Sequence, residues 1–149
     1  LLFWRIKIKP GRPFAFGKIK DSFFIGFPGN PVAAVVTFLM LVTTFIKKLS
    51  GNVDYRNEPD YLKCDFSMKK KKDRVEWLRG NFISKNKKKI VRKFHTTGSG
   101  IISSLSKSNG IIQIDEEVEK IKRGNILKFY RYQDLLNWRS YILQKSPKN

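Results

Sequence analysis

Cysteine is almost absent from this 149-residue chain: Cys64 is the single one, which excludes a disulfide framework and a cysteine-based metal cluster. A reducing cytoplasm fits that scarcity, and Cys64 is expected to serve packing. Histidine is as rare, and His95 has no acidic partner at a useful spacing, so a structural or exposed role is expected for it. Acidic residues number only 12 against 31 Lys plus Arg, for a formal charge of +19. That leaves little oxygen ligation for a hard cation such as Mg²⁺. The longest apolar run, Val32 to Ile46, falls short of the roughly twenty residues of a membrane span and contains threonines, so a core helix is expected. No signal peptide opens the chain. It begins at Leu1, without Met and already inside a patterned segment, as a fragment would.

What is present is a folding composition. With 41% hydrophobic and 13% aromatic residues, the chain has the apolar content for one ordinary domain or two small ones. The positive excess would attract phosphates, nucleic acid or an anionic surface, although a lysine-rich codon bias accounts for it equally well. Phe3 to Lys9 alternates, with Phe3, Arg5, Lys7 and Lys9 on one face and Trp4, Ile6 and Ile8 on the other, the period of one strand. Phe14 to Ile19 and Ser22 to Phe27 read as further strands. In the loop that follows, Asn30 is placed to cap a helix and Pro31 to occupy its first position. Lys47, Lys48 and Gly51 mark that helix's end. Asn52 to Pro59 reads as a linker.

Beyond it, short strand candidates alternate with turns: Tyr61 to Phe66, Val75 to Ile83, Lys89 to Phe94, Gly110 to Ile114 and Ile126 to Tyr132. This spacing suggests a small barrel or sandwich. The lysine runs Lys69 to Lys72 and Lys87 to Lys89 fall where hairpin turns belong. Gln133 to Gln144 has apolar residues at helical spacing.

Three segments offer anion chemistry. Arg5, Lys7, Lys9, Arg12 and Lys18 cluster around the first strand and can clamp an oxyanion, or form a solvated face. Gly26 to Pro31 is a stiff loop aiming backbone N–H groups and a helix N-terminus at a ligand. It lacks the Gly-Lys-Ser/Thr of a P-loop. Thr96 to Gly100, with Ser103, Ser104 and Ser106 beyond, is a hydroxyl-rich loop that is either an anion nest or flexible.

The order of these blocks is more specific than any one of them. Lys9-Pro10-Gly11-Arg12-Pro13-Phe14-Ala15-Phe16-Gly17-Lys18 and Gly26-Phe27-Pro28-Gly29-Asn30-Pro31-Val32, followed by Arg79-Gly80, Thr97-Gly98-Ser99-Gly100 and Asn109-Gly110, resemble the molybdopterin molybdotransferase family, which includes bacterial MoeA and the gephyrin E domain. The resemblance covers about residues 3 to 131 and implies insertion of molybdate into adenylylated molybdopterin, yielding molybdenum cofactor and AMP with Mg²⁺. By position it makes Lys9 and Arg5 the catalytic residues, Arg5 standing where the family has a lysine. It makes Pro28, Gly29, Asn30, Pro31, Arg79 and Ser99 ligands of molybdate or molybdopterin. It places no metal ligand here, so the Mg²⁺ ligands are expected outside this chain.

The fold the resemblance implies is an α/β C-terminal piece of a MogA/MoaB-like molybdopterin-binding domain over residues 1–52. A small all-β, barrel-like domain follows over 53–132, then a helical or flexible tail over 133–149. The working protein would be a cytoplasmic homodimer, without membrane association, and this chain alone would be inactive. An alternative is a basic nucleic-acid-binding β-domain that uses Trp77, Phe82 and Phe94 as stacking platforms. A scaffold role like that of the gephyrin branch is a third, without a groove to mark it.

Overall fold

The computed structural model describes residues 1–85, 88–95 and 102–137. Within them the single strand expected over Phe3 to Lys9 is broken in two. Phe3–Trp4 (β1) and Ile8–Lys9 (β2) belong to different sheets, because Arg5 adopts a left-handed φ of 67° and turns the chain between them. Arg5 and Lys9 therefore do not share a strand face, a correction to the alternation argument. Nothing in the side-chain period announces a backbone reversal at a non-glycine residue.

β1 pairs antiparallel with Ala15–Ile19 (β3), which forms a hairpin with Ser22–Gly26 (β4). The expected helix follows as Pro31–Thr37 (α1), a π-helical turn Phe38–Val42, and Thr43–Leu49 (α2). Asn30 caps it, its Oδ1 accepting from the Ala33 N–H at 3.1 Å, and Pro31 supplies the preset φ of a first helical position. Thr37 and Thr43 flank the π turn, and their buried hydroxyls donate to the carbonyls of Ala33 and Leu39 at 2.9 and 2.6 Å. The whole helix, Pro31–Leu49, has 19 residues and passes a membrane-span criterion by length and composition, but half of its most apolar window is buried within the molecule. That is the behaviour of the core helix expected.

The remaining elements are Asp60–Cys64 (β5), Met68–Lys69 (β6), Val75–Lys85 (β7), Lys88–Lys93 (β8), Ser103–Ser106 (α3), Gly110–Ile114 (β9), Lys120–Ile121 (β10), Ile126–Arg131 (β11) and Tyr132–Leu136 (α4). Pairing runs β7-β8-β5-β11-β9, and β9 returns to β7, closing a five-stranded barrel without free edges. β2 adds to β7 in parallel, with Ile8 opposite Val75 and Lys9 opposite Glu76. β6 and β10 form a separate pair.

Alternation along β9 divides the apolar residues between two cores. Ile112 and Ile114 fill the barrel with Cys64, Val91, Ile121 and Phe129. Ile111 faces outward and packs with Val32, Val36, Leu39, Trp77 and Leu135, so the helix lies against the barrel wall. Of the helix expected over Gln133 to Gln144, α4 supplies the start; the remainder lies outside the described residues.

Candidate functional site

A cavity of about 580 Å³ opens where β2 meets the start of α1. Its lining comes from three stretches of chain: Ile6 to Pro13, Pro28 to Asn30 with Ala33, and Lys71 to Arg74. Gly11 makes the first stretch possible. Its φ of +105° is one that side chains rarely adopt, and a Cβ there would run into Thr37 Cγ2 on α1. The Pro-Gly turn thus lies directly on the helix, holding Lys9 beside the Pro28–Asn30 loop. Pro28 is buried and stiffens that loop, whereas Gly29 is exposed with open space where a Cβ would stand.

The electrostatics are one-sided. Six of the lining residues are cationic (Lys7, Lys9, Arg12, Lys71, Lys72 and Arg74), and Asp73 is the one acid among them. Below the cavity lies Glu76, 1% exposed, whose Oε1 accepts from Arg74 Nε at 2.9 Å and Nη2 at 2.6 Å and stands 3.9 Å from Lys9 Nζ. A buried carboxylate is tolerable only with such partners. It ties β7 to β2 and orients Arg74, and its neighbour Lys9 keeps a half-exposed side chain at the cavity. Sequence reasoning missed Glu76 and the 71–74 cations. The one available signal was that Glu76 is the sole acid in Val75–Lys85.

The other expected site residues are distributed differently. Lys9, Pro28, Gly29 and Asn30 come together. Pro31 starts the helix and does not line the cavity. Arg5 is exposed and also outside the lining, its guanidinium 4.3 Å from the Trp4 ring centroid. Arg79, on β7, is half-buried and donates from Nε to Ser104 Oγ at 3.1 Å. Burial lowers its pKa from the usual guanidinium range. Nearby, burial raises the Tyr132 pKa against the opposing hydrogen bond with Ser108. Ser99 and the rest of Thr96 to Gly100 lie outside the described residues.

Two expectations about lone residues hold. Cys64 is buried in the barrel core and His95 is exposed. Among the described residues no group of three His, Cys, Asp or Glu could hold a metal ion. Two of the three rings considered for base stacking are engaged elsewhere: Trp77 is buried and donates to Gln113 Oε1 at 3.0 Å, and Phe82 lies 4.9 Å from the Arg131 guanidinium.

Residues 61–132 match the family described as the MoeA C-terminal region (domain IV). The chain is 36% identical over 136 residues to a molybdopterin molybdenumtransferase of Haemophilus influenzae, covering 90% of this chain and 34% of that protein. It is 37% identical over 90 residues to the molybdenum cofactor synthesis protein cinnamon of Drosophila melanogaster, covering 55% of this chain and 14% of that one. Among solved structures, the molybdopterin biosynthesis MoeA protein of Pyrococcus horikoshii OT3 superposes with a TM-score of 0.71 at 30% identity, over 88% of this chain and 32% of that one. A molybdenum cofactor biosynthesis protein of Pyrococcus furiosus gives 0.68 at 29% identity, over 88% and 45%. The chain thus spans about a third of the length of the Haemophilus relative.

Proposed function

We propose that this chain, whose residues 61–132 match the MoeA C-terminal region, supplies the oxyanion-binding wall of a molybdopterin molybdenumtransferase. The reaction is insertion of molybdate into adenylylated molybdopterin, with release of molybdenum cofactor and AMP. The observation that carries the reading is the cavity in which Lys9 stands beside the Pro28–Asn30 loop, surrounded by cations. A tetrahedral dianion is suited by a half-exposed ammonium, a proline-stiffened loop and a helix N-terminus, all fixed before it arrives.

In this reading residues 1–52 form the end of an α/β, MogA/MoaB-like molybdopterin-binding domain, 53–132 the barrel domain and 133–149 a tail. Arg5, Pro31 and Arg79 act from outside the cavity lining, toward the pterin or a partner subunit of a cytoplasmic homodimer, and Ser99 keeps only the ligand role that the resemblance implies. Mg²⁺ does not fit the described residues. The cavity's Asp73 stands among cations, and Glu76 is committed to Arg74 and Lys9. A Mg²⁺ requirement is therefore assigned to other groups. The chain by itself, a third of its Haemophilus relative in length, is expected to release no AMP from adenylylated molybdopterin.

Equilibrium dialysis against molybdate tests the reading. Lys9→Ala is expected to weaken binding about tenfold, the value of one charge-assisted contact in a partly screened site. Equal affinity of wild type and variant would remove Lys9 from the site.

A further inference from the structure

The loop between β6 and β7 is built with unusual care for a surface turn. Lys70 opens it and is buried, at 9% exposure. Its Nζ donates to the carbonyls of Lys71 at 3.1 Å, Arg74 at 2.8 Å and Glu116 at 3.2 Å. All three ammonium protons are thereby used on backbone, which is the condition for keeping a charged amine out of water. The Asp73 N–H adds a bond to the Glu116 carbonyl at 3.1 Å, and Asp73 takes a left-handed φ of 61°. The Lys70 N–H adds another, to the Glu119 carbonyl at 2.8 Å. A buried lysine thus fixes a turn whose own side chains point elsewhere. Lys71, Lys72 and Arg74 line the same cavity as Lys7, Lys9 and Arg12, the two stretches lying side by side through the pairing of β2 with β7.

The cation set exceeds what one tetrahedral dianion needs. Exposed Asp73 faces the same cavity, Glu76 neutralises Arg74 in part, and Lys72 stands 3.7 Å from exposed Glu119. Positive charge remains on both stretches after these are counted. A cavity of about 580 Å³ is of the size that holds a nucleotide-scale ligand. Two adjoining cationic stretches along such a space suit an anion with two charged centres.

We propose that the 70–74 loop is a clamp for a phosphoanhydride, with Lys71 and Lys72 contacting the diphosphate and Lys70 as the positioning residue that holds the loop in shape. The proposal rests on the molybdenumtransferase reading in one respect, that its adenylylated substrate contains such a linkage. A loop backbone fixed in advance lowers the ordering penalty that lysines on a loose loop would incur on binding.

The test is calorimetric titration of the full chain with inorganic pyrophosphate at low ionic strength, where surface charges act most strongly. Lys71→Ala/Lys72→Ala is expected to weaken pyrophosphate about tenfold, and more than it weakens molybdate. Lys70→Met keeps the aliphatic stem and loses the three donors, and is expected to shift pyrophosphate affinity in the same direction. Should Lys70→Met unfold, as circular dichroism would reveal, the double variant decides alone, since both its positions are exposed. Lys88→Ala/Lys89→Ala removes the same charge from exposed positions on β8 and is expected to leave the affinity within twofold. No pyrophosphate binding by the wild type, or equal losses in the two double variants, would overturn the proposal. Insensitivity of molybdate to Lys9→Ala sinks the reading of Lys9 instead, and leaves the comparison of double variants intact.

Discussion

Glu76 shows how one residue joins two parts of the molecule. Its carboxylate is buried while Lys9 and Arg74 both retain access to water. Removing it therefore strands no buried cation, and the penalty stays below that of a fully buried pair. Glu76→Gln is expected to lower stability by about 1–2 kcal/mol in urea melts and to tighten anion binding, since a neighbouring negative charge is gone. Weaker molybdate binding with unchanged stability would show that Glu76 orients the cations more than it neutralises them. The glycines of the two site loops predict a contrast. Gly11→Ala forces a Cβ into Thr37 at an unfavourable φ, for an expected loss of about 3 kcal/mol. Gly29→Ala meets open space and is expected to stay within about 0.5 kcal/mol.

Elements were legible where their signals are local. Asn30 and Pro31 fix the helix start, Gly51 its end, and β9 coincides with the alternating Gly110 to Ile114. What stayed hidden depends on distant partners. β2 finds β7 across more than sixty residues, and β6 and β10 are two-residue strands defined only by each other. The lysine runs are expected at hairpin turns, but Lys69 lies on β6 and Lys88 and Lys89 on β8, and the 70–74 connection joins no hairpin because β6 pairs with β10; the Lys70 contacts fix that connection instead. Of the candidate cavity, the Lys9 and Pro28–Asn30 blocks were legible, while the 71–74 stretch and Glu76 required the pairing of β2 with β7. At this scale Asn30→Ala should cost about 1 kcal/mol through the lost cap. Leu135→Ala should cost about 2–4 kcal/mol, because α4 contributes a fully buried side chain to the core between helix and barrel. Thermal melts of both variants measure this; an unaffected melting temperature for Leu135→Ala would detach α4 from that core.

For the molecule as a whole, charge and pH act together. At +19 the chain repels itself more strongly as its few carboxylates are neutralised. Asp115 is the clearest case. Burial tends to raise its pKa, but hydrogen bonds from Lys128 and Gln113 and the positive charge of Lys128 outweigh it, leaving the carboxyl below its ordinary 3.8. A carboxyl with a depressed folded pKa adds stability above its unfolded pKa and loses it as pH falls through the folded value. Asp115→Asn is therefore expected to flatten the acid limb of the stability curve below pH 3.8, and to change its slope little near neutrality. We propose that molybdate is held between Lys9 and the Pro28–Asn30 loop. Anomalous diffraction at the molybdenum absorption edge, on crystals of this chain grown with molybdate, locates the metal without reference to activity. A peak inside that cavity, which Lys9→Ala removes, is expected. A peak confined to other lysine clusters, or one in the cavity that survives Lys9→Ala undiminished, would contradict it.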